Sequence, residues 1–201
     1  MSNSKGMPLL FAAVFSVLSM TGAAGAAGSF MKTGGRTTQP VGHYEFCQKL
    51  PQECRQKTAR HAPIELSRRL WSAIVSVNNA VNASVAPKTD MEIWGHEEVW
   101  SYPNGQGDCE DYVLEKRRQL MALGVPAGDL LITVVRQPNG DGHAVLTIRT
   151  SLGDYVLDNL EPRVLAWDET SYTYLKRQSD SNSGVWVKIN DGRAEAVASV
   201  R

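Results

Sequence analysis

Apolar residues recur at helical spacing between residues 64 and 82, at intervals of four, four, three and four positions. These residues are Leu66, Leu70, Ile74, Val77 and Val81. Because side chains at this spacing share one helix face, the pattern predicts an amphipathic helix over 64–82. A second helix is predicted over 109–123, since Gly124 followed by Val125-Pro126 is a typical helix stop.

The periodicity changes from helical to strand-like after residue 126. β-branched and apolar residues fill 130–136, and the turn-forming sequence PNGDG follows at 138–142. Two further strands are expected at 143–149 and 155–158, and residues 185–189 can add a fourth. The predicted fold class is therefore α+β, with N-terminal helices packed on an antiparallel sheet.

The first 26 residues have the three parts of a secretory signal peptide. Lys5 supplies a basic start, residues 7–20 are almost entirely apolar, and Ala24-Gly25-Ala26 offers a cleavage site. An uncleaved N-terminal anchor is the alternative. Because no other segment approaches transmembrane length, we expect a mature protein that is exported and soluble, either periplasmic or secreted.

The chain downstream of this signal is expected to have two parts. Residues 27–62 form a leader segment, of which residues 28–42 are expected to be mobile, and residues 63–201 form one folded domain.

Lys and Arg number 21, and Asp and Glu also number 21, so the formal net charge is zero. A general nucleic-acid-binding role predicts an excess of positive charge, so we expect no nucleic-acid partner.

Export changes the interpretation of the three cysteines, because disulfides persist in oxidising compartments. Cys47 and Cys54 lie close together in a polar stretch, and a disulfide between them is the economical pairing. Metal binding by this pair is the alternative. Cys109 is distant in sequence and is left as a free thiol.

Cys109 lies at the predicted start of the second helix, within Gly-Asp-Cys-Glu-Asp-Tyr at 107–112. The first turn of a helix carries unpaired N–H groups and partial positive charge, so a thiolate there is stabilised and its pKa is expected to fall. Asp108 is suited to the N-cap position. A small buried structural cysteine is the alternative.

Two further residues complete a nucleophile, base and orienter series in chain order. His143 begins a strand directly after a turn, from which an imidazole can reach a neighbouring helix N-terminus and move the thiol proton. Asp158 ends the next strand and can orient that imidazole, as can Asn159. The alternatives are a surface histidine in a turn and an aspartate that caps a turn.

These motifs resemble the bacterial transglutaminase-like cysteine proteinases over roughly residues 64–189. The matching segments are Trp94-Gly95, Trp100, 107–112, Lys116, 142–146 and 156–159, with Asn78 and Asn82 in the upstream helix. The resemblance implies a papain-like core of the transglutaminase type in a cysteine peptidase domain over 63–201. It also implies Cys109 as nucleophile, His143 as base and acid, and Asp158 as orienting residue.

The resemblance further implies a calcium ion beside the nucleophile, held by Asp108 and Glu110. Oxygen ligands suit Ca²⁺, and Asp111 is a candidate third ligand. The alternative is that these carboxylates only favour the positive end of the helix. For an oxyanion donor, the Cys109 backbone N–H is the natural candidate, with the side chains of Gln106 and Asn104 as further options.

The function expected from this resemblance is a thiol peptidase that cleaves a periplasmic or cell-surface protein through a Cys109 thioester. It allows a surface adhesin as substrate and an inhibitory membrane receptor as partner. One alternative is a transglutaminase-type acyl transferase, which resolves the same thioester with an amine. Another is a calcium-binding interaction module with a vestigial triad.

Overall fold

The computed structural model describes Met1 and residues 29–190. The predicted signal peptide lies outside the described residues, apart from Met1. The described helices are α1 (Val41–Lys49), α2 (Pro51–Cys54), α3 (Arg68–Ser84), α4 (Asp90–Trp94) and α5 (Cys109–Ala122). The described strands are β1 (Thr33–Thr37), β2 (Ala86–Pro87), β3 (Gln106–Gly107), β4 (Leu130–Arg136), β5 (Gly142–Thr150), β6 (Gly153–Leu157), β7 (Leu165–Ala166), β8 (Thr173–Ser179) and β9 (Asn182–Ile189).

Both predicted helices are present, with one shifted start. Helix α3 begins four residues later than predicted because Ser67 is its N-cap, and its hydroxyl accepts a hydrogen bond from the Leu70 backbone N–H at 3.1 Å. The predicted apolar face is buried at Ile74, Val77 and Val81. Helix α5 ends one residue before the predicted boundary.

The antiparallel meander of β4, β5 and β6 has the predicted strand order. The strand expected at 185–189 is the end of β9, but it does not extend this meander. The sheet order is β1-β9-β8-β4-β5-β6-β7, so β8 separates β9 from β4. The α+β prediction is confirmed, with α3 and α5 packed against one face of the sheet.

Residues 28–42 were expected to be a mobile leader, and this expectation is wrong for the part that the structure describes. Strand β1 pairs antiparallel with β9 at the sheet edge, and Thr37 lies opposite Trp186. Helix α1 follows, and its Phe46 is buried in the main core. Because these contacts lie far apart in sequence, the polar local composition gave no sign of them. The domain boundary at residue 63 stays a prediction.

Two apolar clusters stabilise the sheet on its opposite faces. The larger one lies between the sheet and the helices, and includes Ile74, Leu120, Leu146 and Trp186. The smaller one includes Val135, Val145 and Trp167. Among the described helices, none has the length and hydropathy that a membrane span requires.

Candidate active site

Cys109 is the first residue of α5, as the sequence predicts. The helix start packs tightly against the preceding strand: a Cβ at Gly107 would lie 2.6 Å from Asp111 Oδ2 and 2.7 Å from Asp111 Cβ. Glycine is therefore required immediately before the Asp-Cys pair. Asp108 occupies the N-cap position, but its side chain makes no capping hydrogen bond, so the expected capping role is wrong.

The thiol of Cys109 lies between a carboxylate and a strand. Its Sγ is 2.6 Å from Glu110 Oε2, to which it donates, and it accepts a hydrogen bond from the Ala144 backbone N–H of β5. Burial and the Glu110 charge raise the pKa of the Cys109 thiol well above its usual value. The expected fall in pKa is therefore wrong for this arrangement, because desolvation and a neighbouring anion outweigh the helix N-terminus.

His143 and Asp158 form a buried hydrogen-bonded pair at the cleft wall. His143 Nε2 lies 2.8 Å from Asp158 Oδ1, and both side chains are at most 5% exposed. With Nε2 donating to the carboxylate, Nδ1 is the imidazole nitrogen left to exchange a proton. Within residues 29–190, no hydrogen bond joins the imidazole to the Cys109 sulfur, since the thiol proton points to Glu110.

Groups other than the His143 imidazole also form hydrogen bonds with Asp158. Its Oδ1 also accepts from the Leu160 N–H at 3.0 Å, and its Oδ2 accepts from the Tyr172 hydroxyl at 2.5 Å. The amide of Asn82 on α3 donates to the Asp158 carbonyl at 2.8 Å. Burial alone raises the pKa of Asp158, but the hydrogen bonds from His143, Leu160 and Tyr172 outweigh it and hold this pKa below its usual value.

Asn159 was the alternative orienting residue, and the structure places it elsewhere. Its side chain lines a surface cavity beside Cys109, whereas the imidazole is paired with Asp158. The direction of the side chain decides between the two, because neighbouring residues near a strand end point to opposite sides.

Cys109 and His143 lie on the wall between two open concavities. The first has a volume of about 570 Å³, and it is bordered by Val41 of α1 and Lys176 of β8. The second has a volume of about 320 Å³ and is bordered by Lys88 and Leu160. Because both concavities include the thiol and the imidazole, a polypeptide segment can pass across both residues.

A cluster of three carboxylates borders the first concavity. Oxygens of Asp90, Asp108 and Glu110 all lie within 4.8 Å of one another. Asp90 is 1% exposed; its Oδ2 accepts from the Val99 N–H at 2.5 Å, and its Oδ1 has no hydrogen-bond partner. Burial, followed by the charges of Glu110 and Asp90, raises the pKa of Asp108 to about 8. Buried oxygens that repel one another fit a hard cation such as Ca²⁺.

Asp111 was the expected third ligand, and this expectation is wrong. Its Oδ1 accepts hydrogen bonds from the Ser101 N–H at 2.8 Å and from the Ser101 hydroxyl at 3.3 Å. Asp111 points away from the cluster and fixes the approach of the 101 segment to α5. The third carboxylate comes instead from Asp90, in the first turn of α4.

The side chains considered as oxyanion donors lie outside the cleft. Gln106 and Asn104 line a different cavity together with Trp94 and Tyr102. The Cys109 backbone N–H, at the open end of α5, therefore stays the candidate donor.

Cys47 and Cys54 are joined by a disulfide with a Cα–Cα distance of 5.6 Å, as expected, and Cys109 is free. The bridge ties α1 to α2. His43 of α1 packs beside both sulfurs, and burial lowers the pKa of His43 to about 4. The neutral ring accepts a hydrogen bond at Nδ1 from Trp186 Nε1 at 3.3 Å.

The sequence motifs did not identify Asp90 or Tyr172, and they included Asn82 only as part of the family resemblance, without a role at the site. Asp90 follows Thr89, the N-cap of α4, and an acidic residue there is explained by the helix dipole alone. Tyr172 directly precedes β8, a strand that the sequence pattern did not predict. Asn82 offered a weak signal, as an amide beside the apolar face of α3 in a segment that carries the family resemblance.

Comparison with known protein families decides the identity. The family model of the bacterial transglutaminase-like cysteine proteinases (BTLCP) matches residues 33–194. The chain belongs to this family. It is therefore a cysteine peptidase, and its expected substrate class is protein. A search of curated proteins returned no match.

Two solved structures with TM-scores of 0.50 or above share the fold of this proteinase. Legionella pneumophila LapG matches with a TM-score of 0.51 and 23% identity, over 80% of this chain and 86% of that chain. EGTA-treated LapG from the same organism matches with a TM-score of 0.50 and 23% identity, over 78% and 86%. Calcium-bound LapG matches with a TM-score of 0.47 and 24% identity, over 71% and 86%. The family model, together with the shared fold of the first match, confirms the expected transglutaminase-like core.

Proposed function

We propose that this chain is an exported thiol peptidase in which Cys109 is the nucleophile, His143 the general base and acid, and Asp158 the orienting residue. The observation that carries the proposal is the buried His143–Asp158 pair at 2.8 Å, set in the same cleft wall as a free cysteine at a helix start. Nucleophile, base and orienter meet at one site that is open to a polypeptide.

The proposed reaction begins with transfer of the thiol proton to His143 Nδ1. For this step the Cys109 side chain turns from Glu110 toward the imidazole. The sulfur then attacks the scissile carbonyl, and the oxyanion is stabilised by the Cys109 backbone N–H. His143 returns the proton to the leaving amine and then activates the water that hydrolyses the thioester, while Asp158 stabilises the imidazolium.

Asp90, Asp108 and Glu110 are the proposed ligands of a calcium ion, with backbone carbonyls and water completing the shell. When bound, the cation supplies positive charge that neutralises the three carboxylates beside the nucleophile. The unpartnered Oδ1 of Asp90 and Oδ1 of Asp108 support this assignment.

The proposed substrate is a periplasmic or cell-surface protein, with a surface adhesin as one example, cut within an extended segment. The N-terminal signal pattern supports export, and the two concavities on either side of Cys109 support an extended substrate. Recovery of the protein in the periplasmic or extracellular fraction, with its first 26 residues removed, tests the location.

The catalytic pair is tested by the rate of Cys109 alkylation with iodoacetamide. We expect His143→Ala to slow alkylation at neutral pH by about tenfold or more, because the thiol loses its base. His61→Ala is the matched control, since His61 lies far from the cleft beside Asp129. Equal alkylation rates in the wild type and His143→Ala would contradict the proposed pair.

The calcium site is tested by thermal unfolding with calcium chloride or with a chelator. Because a ligand that binds the folded state raises the unfolding temperature, we expect calcium to stabilise the wild type and to have no effect on Asp90→Asn. Asp168→Asn, on an exposed residue, should keep the calcium response. A wild type that does not respond to calcium would contradict the assignment.

A further inference from the structure

Tyr172 contacts both members of the buried His143–Asp158 pair. Its hydroxyl donates to Asp158 Oδ2 at 2.5 Å, and its ring centroid lies 5.6 Å from that of His143, with the ring planes tilted by 57°. Tyr172 directly precedes β8, whereas His143 and Asp158 lie at β5 and β6. One side chain from outside the predicted motifs therefore touches two of the three residues in the proposed triad.

The hydroxyl of Tyr172 completes the hydrogen bonding of a buried carboxylate. Asp158 is 2% exposed, so both of its oxygens need donors. The His143 ring and the Leu160 N–H serve Oδ1, and the Tyr172 hydroxyl serves Oδ2. Without that hydroxyl, Oδ2 loses its donor, and only the contacts at Oδ1 remain to hold the carboxylate toward the imidazole.

We propose that Tyr172 is a positioning residue, which fixes the Asp158 carboxylate so that His143 keeps its Nδ1 available to the thiol. This proposal rests on the proposed catalytic pair. Tyr172 lines a cavity together with Asp158, whereas the residues that line the two concavities beside Cys109 do not include it, so we expect its effect to pass through Asp158.

The test compares Tyr172→Phe with Tyr174→Phe. Both variants lose one tyrosine hydroxyl, but Tyr174 bonds to Thr170 Oγ1 at 2.9 Å and is buried in the smaller apolar cluster. We expect Tyr172→Phe to slow Cys109 alkylation about tenfold, and Tyr174→Phe to change it by less than about twofold. Thermal unfolding of both variants checks that the fold is retained.

Two readouts separate positioning from a merely structural role. In an assay with a peptide that the enzyme cleaves, we expect Tyr172→Phe to lower kcat and to leave KM unchanged, because on this proposal the hydroxyl does not contact the substrate. The proton NMR signal of His143 Nε2–H, assigned by its absence in His143→Ala, should shift in Tyr172→Phe and stay in place in Tyr174→Phe. An unshifted signal would overturn the proposal.

A double-mutant cycle with Asp158→Ala gives the decisive comparison. If Tyr172 acts through Asp158, adding Tyr172→Phe to Asp158→Ala should change the alkylation rate by less than about twofold. An undiminished tenfold effect in that background overturns the positioning role. Because alkylation needs no substrate, His143→Ala tests the proposed function and Tyr172→Phe tests this inference separately.

Discussion

Cys109 and Glu110 are neighbours in the chain, and the Cys109 thiol donates a hydrogen bond to the Glu110 carboxylate, with Sγ 2.6 Å from Oε2. The same carboxylate belongs to the cluster with Asp90 and Asp108. A single side chain therefore links the proposed metal site to the proposed nucleophile. In the arrangement seen here, Glu110 holds the thiol proton away from His143.

Replacing Glu110 with glutamine should make Cys109 more reactive in the presence of a chelator. The amide carries no charge, so the pKa of the Cys109 thiol should move down toward its usual value. A fall of one unit in the thiol pKa gives about ten times more thiolate at neutral pH. We therefore expect iodoacetamide alkylation to become about tenfold faster for each unit by which the pKa falls. Glu115→Gln, which alters the partner of Arg118 on the same helix, is the control. A slower reaction in Glu110→Gln would contradict the prediction.

Replacing Asp158 with alanine should reduce peptidase turnover by about 100-fold, because His143 loses the acceptor that fixes its tautomer and stabilises its charge. The measurement is kcat/KM on a cleaved peptide, together with the alkylation rate. Asp168→Ala, on an exposed aspartate, should retain wild-type values. Full activity in Asp158→Ala would contradict the proposed role of Asp158 in orienting His143.

Stability should depend on pH through His61, whose Nε2 lies 2.8 Å from Asp129 Oδ2 and whose Nδ1 lies 2.9 Å from the Ala59 carbonyl. Acceptors on both nitrogens favour the imidazolium, and the hydrogen bonds to Asp129 and then to Ala59 raise the pKa of His61. A raised pKa in the folded state stabilises the protein fully below the unfolded value of about 6.5. This contribution is lost as the pH rises through the folded pKa.

Urea unfolding at about pH 6 and pH 8 measures this contribution. Because the imidazole is partly exposed, we expect the wild type to lose no more than about 1 kcal/mol across this range relative to His61→Gln. His96→Gln, on an exposed histidine, should follow the wild type. A wild type that loses no more stability than His61→Gln over this range would show that the contact does not titrate.

Removing the disulfide should destabilise the protein by about 2–3 kcal/mol, since the bridge closes a short loop in the unfolded chain. The variant carries both Cys47→Ser and Cys54→Ser, which removes the covalent link between α1 and α2. Denaturant unfolding of this variant should match that of the wild type under a dithiol reductant. Cys109→Ser is the control: because Cys109 is unpaired and the bridge is retained, its stability should match that of the oxidised wild type and should fall under the same reductant.

The local patterns predicted α3, α5 and the meander well, but not the shorter helices α1, α2 and α4. Ile74, Val77 and Val81 are buried as their spacing predicts, and residues 130–136 form a strand with the predicted bounds. Strand β8 was missed because its buried positions are partly polar. Arg177 of β8 is 6% exposed and donates to Asp154 at 3.0 Å, so its burial depends on a partner 23 residues away.

The sequence motifs predicted the candidate catalytic residues of the site, but not the residues that support them. The order of Cys109, His143 and Asp158 along the chain led to a site that the structure assembles in part, with His143 bonded to Asp158. The catalytic roles of the three residues stay predictions. Asp90 and Tyr172 could not be inferred, because each reaches the site through packing between segments that are distant in sequence.

The sequence by itself determined the family, the α+β class and the position of Cys109 at a helix start, because local spacing and short motifs carry these features. It favoured the Cys47–Cys54 pairing, which the structure contains. The tertiary structure decided which acceptor receives the thiol proton, which three carboxylates converge, and which hydroxyl holds Asp158. It also decided that the pKa of Cys109 rises instead of falling. The physical reason is that burial and the charges of neighbouring groups depend on distances in the folded chain, and a residue pattern does not contain those distances.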